Sequence, residues 1–368
     1  MPQESCLNSS DSVKTGMREE VMRKKNSVTI ADIAKKAGVS RTTVSFYINH
    51  KYEKMSSRTR AKIEEAIRET DFVPNVLARS LNNKQSFMIG VMVHANTSWE
   101  MVQFMDGIED CLKKNNYQMI VATTGWDLDE ERQQIEKMKA QSVDGFIVNP
   151  SESFDLLWKT IGENRPLVVY DPPHVTPYRY WVRSNDYEAV YDALERMVTA
   201  GYDRLILVTE DPSRHTTIAQ RCLAFDHLVG IRHVRSKTIY VSDPCLPEKL
   251  EFELLQHIRI EEKTCFFVTT TELLKTVFLV LRRYHDLMPD RIGLIGFDSV
   301  EWAAMVTPGV TTIVHPAFEA GNHAARLLLD VIAEKNEEVS GKIFECALHE
   351  LGSTIRTTDK KKKEGEGE

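Results

Sequence analysis

From residue 87 onward, short apolar runs alternate with longer, charged stretches that have helical periodicity. The apolar runs are IGVMV, YQMIVATT, VDGFIVNP, PLVVYDP, RLILVTE, TCFFVTT and IGLIGFD, and stretches such as GIEDCLKKNN and EERQQIEKMKAQ lie between them. Strands that are apolar along their whole length are typical of parallel sheets buried on both faces by crossover helices. Because about 270 residues exceed the size at which one core stops growing, the pattern predicts a doubly wound α/β body in two lobes.

A second, all-helical pattern covers residues 28 to 73. Thr29 can cap a first short helix, Gly38 allows the chain to leave that helix, and Ser40 can cap a second one. A third helix follows. The apolar positions at helical spacing are Ile30, Ile33, Ala34 and Ala37, then Val44 and Ile48, and finally Ile63, Ala66 and Ile67. The pattern predicts helix, glycine turn, helix, helix within about fifty residues.

The segment TIADIAKKAGVSRTTVSFYIN has the arrangement that a helix-turn-helix requires. Its first helix packs, its glycine permits the sharp turn, and its second helix presents short polar side chains that can enter the major groove. The side chains that point away from the apolar stripe are Ser40, Arg41, Thr42, Thr43 and Ser45. Their hydroxyls can bond phosphates or bases, and Arg41 can reach guanine. Taken by itself, the segment fits a helical hairpin with a solvated face equally well.

Charge is unevenly distributed along the chain. The net charge is −7, yet residues 28 to 86 carry eleven Lys and Arg against six Asp and Glu. A basic end on an acidic body is expected of a protein that offers one end to a polyanion. A solvated charged face would explain the bias if it stood alone. Together with the helix-turn-helix pattern, the bias favours DNA binding.

Several other classes of protein find no support in the sequence. Apolar runs fall short of the roughly 18 residues of a membrane span, and the N-terminus lacks the apolar core of a signal peptide, so the cytoplasm is the expected location. The six cysteines lack zinc-ligand spacing. Because nucleophile-elbow, Walker, HExxH and dinucleotide-binding motifs are missing, we expect no enzymatic activity, metal or cofactor. Residues 1–27 and 357–368 are predicted to be disordered.

Further segments connect the headpiece pattern with the body pattern. In chain order they are TIADIAKKAGVS, TTVSFYIN, FVPN, ARSL with the following IG, VDGFIV, IAQRCLAF, GLIGFDS and TPGVTTIVHP. Together they resemble the lactose-repressor (LacI) family of bacterial transcription regulators. The resemblance implies a small all-helical helix-turn-helix headpiece at residues 28–73, a hinge helix and linker at 74–86, and a two-lobed, periplasmic-binding-protein-like doubly wound α/β body at 87–356, which binds an effector and dimerises.

The resemblance also implies further DNA contacts. A hinge helix at residues 75 to 82 would order on operator DNA and lie in the minor groove beside its copy in a dimer. Leu81 would be the wedge that pushes between central base pairs, although it could instead cover the core of the body. Phe46 replaces a usual polar side chain, so it can contact a thymine methyl group. The other positions are Thr29, Asn49, Arg60, Asn75, Ala78 and Arg79.

An effector site between the two lobes is the next implication of the resemblance. Arg221 would bind ligand oxygens in a bidentate manner, and Asp298 would accept hydrogen bonds from ligand hydroxyls or amines. Trp99 could stack on a sugar face. The predicted effector-binding residues are Trp99, Glu100, Asn185, Arg221, Thr270 and Asp298.

At three places in this cleft the chain departs from family habit. The departing segments are Ser98–Trp99–Glu100–Met101, Asn185–Asp186 and Thr270–Thr271. Besides a sugar, the alternatives for the effector are therefore a purine, a phosphorylated sugar or no small ligand at all.

These features predict a homodimeric, sequence-specific DNA-binding regulator, a repressor of carbohydrate-uptake or catabolic genes. It would bind a pseudo-palindromic double-stranded operator and respond to a sugar or a sugar derivative. The alternative is a cytoplasmic sugar-binding or sugar-processing protein of the same body fold with a vestigial headpiece. A gel shift on its own promoter region at low salt distinguishes the two.

The wedge hypothesis for Leu81 predicts a specific loss. Leu81→Ala should weaken specific operator binding by on the order of a few kcal/mol and reduce DNA bending, because the unstacked step is no longer filled. Non-specific affinity and its salt dependence should stay the same, since both depend on basic residues at the phosphates. Permuted-site gel mobility measures the bend. A full bend combined with a lower melting temperature of the DNA-free protein would contradict the wedge and indicate a core residue.

Overall fold

The computed structural model describes residues 28–48, 51–70, 72, 85–94, 98–162, 164–173, 178–214, 216–242, 247–259, 261–297, 300–335, 338 and 340–355 (the described residues). The chain forms two compact units, residues 1–84 and 85–368. The predicted disordered ends and the predicted hinge helix lie outside the described residues. None of the described helices is long and apolar enough to cross a membrane.

The first unit contains the predicted helix-turn-helix. Its helices are α1 (Ile30–Ala37), α2 (Arg41–Ile48) and α3 (Ser57–Thr70), with a 3₁₀ turn at Tyr52–Lys54. Thr29 and Asp32 form a capping box at the start of α1, and Gly38 ends that helix with a left-handed φ of 67°. The core consists of Ile33, Ala34, Ala37, Val44, Ile63, Ala66 and Phe72. The predicted order of helix, glycine turn, helix, helix is confirmed.

The first lobe of the body is built on a parallel six-stranded sheet in the order β11-β5-β4-β3-β1-β2. Its strands are β1 (Met88–Val93), β2 (Gln118–Thr123), β3 (Gly145–Val148), β4 (Leu167–Tyr170), β5 (Tyr180–Ser184) and β11 (Ser340–Phe344). Its helices are α4 (Trp99–Lys114), α5 (Leu128–Ala140), α6 (Phe154–Ile161) and α12 (Ala317–Ile332). Apolar clusters fill both faces of the sheet.

The second lobe repeats this plan with the order β12-β10-β9-β8-β6-β7, and only the β10–β12 pairing is antiparallel among the described strands. Its strands are β6 (Arg204–Thr209), β7 (Arg235–Tyr240), β8 (Thr264–Val268), β9 (Ile292–Phe297), β10 (Thr311–Val314) and β12 (Ala347–His349). Its helices are α7 (Asp186–Thr199), α8 (Thr216–Arg232), α9 (Pro247–Leu255), α10 (Thr271–Leu281) and α11 (Val300–Met305). The predicted two-lobed α/β body is confirmed.

The chain passes between the lobes at three places. It crosses from β5 to α7, returns from β10 to α12, and crosses again from β11 to β12. The first and third crossovers are hydrogen-bonded to each other, because the Asn185 side-chain oxygen accepts from the Cys346 N–H at 2.7 Å. Since the carboxyl ends of parallel strands border the crevice of an α/β sheet, the crossovers place a cleft between the two lobes.

Two glycines allow α4 and α12 to cross closely in the first lobe. A Cβ at Gly107 would collide with the carbonyl oxygen of Phe318, and a Cβ at Gly321 would collide with the carbonyl oxygen of Phe104. The obstacles are backbone atoms, which cannot turn aside as a flexible side chain can. The crossing therefore requires glycine at both positions.

Gly107→Ala should destabilise the protein by about 1 to 3 kcal/mol or more, because the two helices would have to separate. The matched control is Gly230→Ala in α8, where a Cβ would meet nothing within 4 Å. That change should be neutral or should stabilise by up to about 1 kcal/mol, since alanine favours the helix. Urea unfolding of both variants measures the difference. Equal stability of the two variants would contradict the close crossing.

Candidate functional site

A cavity of about 230 Å³ lies between the two lobes of the body, and we call it the first cavity. The first lobe contributes His94, Ser98, Glu100, Met101, Trp126, Asn149, Tyr170 and Asp171. The second lobe contributes Glu210, Thr217, Ile218, Arg221, Thr270, Thr271 and Glu272. A molecule in this cavity would therefore touch both lobes.

On the first-lobe side, hydrogen bonds hold an aromatic and amide wall in place. His94 Nδ1 and Asn149 Oδ1 are 2.8 Å apart, and Asn149 Nδ2 donates to the Tyr170 carbonyl at 3.1 Å. The His94 and Trp126 rings stack with centroids 3.8 Å apart and planes 4° apart. Burial lowers the pKa of His94, so this wall is uncharged at neutral pH.

On the second-lobe side, Arg221 is fixed by its neighbours in α7 and after β8. Its Nε donates to Asp186 Oδ1 at 2.7 Å, and its NH1 donates to the Thr269 carbonyl at 2.6 Å. The guanidinium also lies 3.6 Å from the centroid of the Phe297 ring. The side chains of Arg221 and Asp186 are only 7% and 2% exposed. Burial opposes the charge of Asp186, but Arg221 and His315 hold the pKa of that carboxyl well below its usual range.

His315 connects this ion pair to the first lobe. Its Nε2 lies 3.2 Å from Asp186 Oδ1, and its Nδ1 lies 3.2 Å from Glu100 Oε2. Burial opposes protonation, yet Glu100 and Asp186 outweigh it and raise the pKa of His315 well above its usual value. Burial likewise opposes the charge of Glu100, but His315 and Arg221 lower its pKa to about 2. Tyr170 donates to the other Glu100 oxygen at 2.7 Å. The two acids and two bases therefore form a compensated ion cluster, in which Asp186, Arg221 and His315 are buried and Glu100 is half-buried.

Asp171 is a third carboxyl group close to this cluster. It follows β4 directly, and its Oδ1 accepts from the Ser184 N–H at 3.1 Å. Burial raises its pKa, the negative charges of Asp186 and Glu100 raise it further, and together they bring it to about 7. Asp171 can therefore donate a hydrogen bond to a ligand in its neutral form or accept hydrogen bonds in its ionised form.

The structure brings together three of the predicted effector-binding residues. Arg221, Glu100 and Thr270 line the first cavity. The buried Thr270 hydroxyl makes no hydrogen bond to any described residue, which costs about 1 to 3 kcal/mol unless a ligand or water supplies one. Trp99 lines an adjoining cavity, and Asn185 is not among the lining residues of either cavity. Asp298 lies outside the described residues.

Several lining residues were not predicted from the sequence. They are Asn149, Tyr170, Asp171, Trp126, Glu210 and Thr217. A signal for some of them was present, since Asn149, Asp171 and Glu210 each directly follow a buried strand. Polar residues at the carboxyl ends of parallel strands face the crevice of an α/β fold.

The helix-turn-helix unit contains some of the predicted DNA-binding residues among the described ones. Arg41 and Thr42 are exposed at the start of α2, while the Ser40 hydroxyl accepts from the Thr43 N–H at 3.1 Å and caps that helix. The Arg60 guanidinium lies 4.1 Å from the Tyr52 ring centroid and bonds Glu64 at 2.8 Å.

The remaining DNA-binding candidates are partly described. The Lys54 ammonium lies over the Phe46 ring, 5.0 Å from the centroid of that ring. Ser45 is half-buried in α2, and Thr29 is exposed at the capping position of α1. Outside the described residues lie Asn49, Asn75, Ala78, Arg79 and Leu81.

Comparison with known proteins agrees with the two-unit architecture. Residues 29–75 match the model of the bacterial regulatory proteins of the lacI family, and residues 194–354 match the periplasmic binding protein-like domain. The probable HTH-type transcriptional regulator EndR of Paenibacillus polymyxa is 30% identical over 314 residues, which cover 84% of this chain and 92% of that protein.

Two solved structures share the fold. The lac repressor dimer bound to operator and an anti-inducer superposes with a TM-score of 0.77 at 19% identity, over 89% of this chain and 99% of that one. A complex of the transcriptional regulator CelR with cellobiose has a TM-score of 0.63 at 20% identity, with the same coverage of both chains.

A helix-turn-helix unit followed by a two-lobed body with a polar cleft defines a DNA-binding transcriptional regulator of the effector-controlled class. With the family match to its N-terminal unit and a relative at 30% identity along most of its length, the chain belongs to the LacI family of bacterial regulatory proteins.

The raised pKa of Asp171 predicts a pH-dependent cost to stability. The folded protein holds the proton of this carboxyl more tightly than the unfolded chain does, so its contribution is greatest below about pH 4 and is lost as the pH rises toward 7. Asp171→Asn should therefore raise the melting temperature at about pH 8, by roughly 2 to 4 °C for each kcal/mol recovered, and leave it unchanged near pH 4.

The matched control for this prediction is Asp192→Asn on the exposed face of α7. The control should shift the melting temperature little at either pH. Thermal unfolding across the pH range measures both variants. A destabilised Asp171→Asn protein at pH 8 would contradict the cost of the buried carboxylate.

Proposed function

We propose that this regulator is a repressor whose effector is an uncharged sugar bound in the first cavity. The main observation in support is the ion cluster of Arg221, Asp186, His315 and Glu100, in which the positive and negative charges balance each other within the protein. Among the described residues that line the first cavity, Arg221 is the one cation, while Glu100, Asp171, Glu210 and Glu272 are acidic. An anionic ligand such as a sugar phosphate would meet these carboxyl groups without a free cation to pair with. A polyhydroxy ligand needs hydrogen bonds and an aromatic surface, and the cavity supplies both.

The hydrogen-bonding groups suit a sugar ring. Asn149, Thr270 and Asp171 offer amide, hydroxyl and carboxyl groups at the cavity wall. The stacked pair of His94 and Trp126 adds an aromatic surface. Sugars carry hydroxyls around an apolar ring face, so both kinds of contact serve one ligand.

Regulation would follow from the position of the cavity between the lobes. A ligand that contacts Asp171 of one lobe and Thr270 of the other favours one lobe arrangement over another. In a homodimer on a pseudo-palindromic operator, that preference changes the population able to bind DNA. The exposed Arg41 and Thr42 of α2 would contact the operator, and the protein would act in the cytoplasm, where its DNA target is located.

Replacing the planar guanidinium of Arg221 should weaken the response to the effector and leave DNA binding unchanged. Arg221→Lys keeps the buried positive charge beside Asp186 but cannot hold two partners in one plane. We expect the effector titration midpoint of a preformed operator complex to rise at least about tenfold, which corresponds to about 1.4 kcal/mol. Operator affinity without effector should stay within about twofold, because lysine keeps the ion pair with Asp186 that holds the lobe arrangement and because Arg221 lies outside the helix-turn-helix unit.

The measurement is a gel shift on the promoter region of its own gene, using sugars that raise the melting temperature of the protein. Arg196→Lys, on the exposed surface of α7, is the matched control and should respond as the wild type does. A wild-type response of Arg221→Lys would remove this residue from the effector site. Absence of specific DNA binding at low salt would instead support a sugar-binding protein without regulatory function.

A further inference from the structure

Glu131, the fourth residue of α5, is a completely buried acid that is not among the described residues lining the first cavity. Both of its oxygens accept hydrogen bonds from Ser151. The Ser151 N–H donates to Oε1 and the Ser151 hydroxyl donates to Oε2, each at 2.6 Å. Ser151 lies in the loop between β3 and α6, so the two bonds tie that loop to α5. We call this pair of bonds the Glu131–Ser151 clamp.

The loop that Ser151 anchors carries Asn149, the amide of the cavity wall. Only Pro150 separates the two residues, and the fixed φ of proline makes this connection stiff. The Asn149 N–H donates to the Met92 carbonyl at 2.8 Å, so the loop leaves the sheet in a fixed position. A displacement of Ser151 is therefore transmitted to the Asn149 side chain.

The start of α5 carries Trp126, the aromatic part of the same wall. Trp126 precedes the capping residue Asp127 and has a left-handed φ of 58°. Residues other than glycine adopt this region rarely, so surrounding contacts must hold the backbone there. The Glu131 N–H donates to the Asp127 carbonyl at 2.9 Å, which places Glu131 one helical turn from the Trp126 segment. The clamp thus connects the two segments whose side chains meet at His94.

The electrostatics of the clamp differ from those of the ion cluster. Asp186 and Glu100 each have a cation within 3.2 Å. For Glu131, burial raises the pKa, the hydrogen bonds from Ser151 oppose this rise only in part, and the Asp127 carboxylate adds to it. A buried carboxylate held in this way is costly. It supplies two acceptors to two donors, which a glutamine side chain cannot do, since its amide has one acceptor and two donors.

We propose that Glu131 is a positioning residue for the effector, acting through Ser151 to hold Asn149 and Trp126 at the spacing that the ligand needs. The inference rests on the proposed function, because it takes the first cavity as the effector site. Glu131 itself does not touch the ligand. Loss of the clamp should therefore lower effector affinity and change the stability of the fold little.

The first test measures binding to the full-length protein by isothermal titration calorimetry with ribose, glucose and cellobiose as probes. Glu131→Gln keeps the size of the side chain but removes one acceptor. We expect the dissociation constant of a sugar that binds the wild type to rise about tenfold. The melting temperature without ligand should change by less than about 4 °C, because a buried charge is removed together with one hydrogen bond.

Two further variants make this result specific. Glu130→Gln makes the same chemical change one residue earlier, where the side chain is exposed, and should bind as the wild type does. Ser151→Ala removes only the bond to Oε2 and should cause a smaller loss of affinity in the same direction. It also serves as the test if Glu131→Gln does not fold.

The second test needs no ligand and uses hydrogen–deuterium exchange. The Ser151 N–H is bonded to Glu131 and the Asn149 N–H to the Met92 carbonyl, so both are protected in the wild type. In Glu131→Gln, peptides that contain residues 149–152 should exchange at least about threefold faster, and those with residues 124–127 should also exchange faster. Peptides of the second lobe should be unchanged, whereas a general loss of stability would increase exchange throughout.

The outcomes separate this inference from the proposed function. If exchange at residues 149–152 is unchanged, or if Glu130→Gln loses as much affinity as Glu131→Gln, the positioning role is wrong. If exchange increases but sugar affinity stays within about twofold, the clamp only braces the loop, and the positioning role is wrong while the sugar effector stands. If none of the sugars binds the wild type, the uncharged-sugar effector is wrong. Exchange alone then decides whether Glu131 holds the wall, since faster exchange supports the clamp and unchanged exchange overturns it.

Discussion

The ion cluster at the lobe crossovers is the interaction on which the arrangement of the body depends. Asp186 follows the first crossover, and His315 lies at the second. Isolated charges at these places would be prohibitively costly, and removing one member of a buried pair typically costs about 3 to 5 kcal/mol. Because His315 contacts Glu100 of the first lobe and Asp186 of the second, relative movement of the lobes must keep or exchange these contacts. The cluster thus couples lobe geometry to the same side chains that line the cleft.

This internal compensation also determines how the cleft can recognise a molecule. A guanidinium that already donates to Asp186 and to the Thr269 carbonyl attracts an anion less than a free one does. Under the proposed function, selectivity would then depend on the directional groups around it, such as the unpaired Thr270 hydroxyl, and on the stacked rings of His94 and Trp126. Since Glu100 and Arg221 of the ion cluster line the first cavity, the cluster shapes the cavity wall while its charges are balanced within the protein.

Much of the fold was predictable from the sequence because most strands are buried on both faces and are therefore continuous apolar runs. The edge strand β2 is an exception, since it is an apolar run although none of its residues is fully buried. All seven predicted runs contain a strand, from IGVMV in β1 to IGLIGF in β9. The strands that were not predicted have exposed or polar residues for a physical reason. β7, β11 and β12 lie at sheet edges, and β7 (RSKTIY) and β11 (SGKIF) each bury a single residue, so neither needs an apolar run. In β5 the polar Arg183 interrupts the apolar residues, and β10 begins with two threonines. Neither strand therefore shows a continuous apolar run in the sequence.

The site was less predictable, because its residues meet only where the lobes cross. Glu100 and His315 are far apart in the chain, and no periodicity connects them. Asn185 and Asp186 show how finely the outcome depends on backbone direction. Asn185, the last residue before α7, turns toward the third crossover and bonds the Cys346 N–H. Asp186 is the first residue of α7, where the helix dipole favours a negative charge, and it faces Arg221. A one-residue difference therefore decides which side chain braces the crossovers and which one holds the arginine of the cleft.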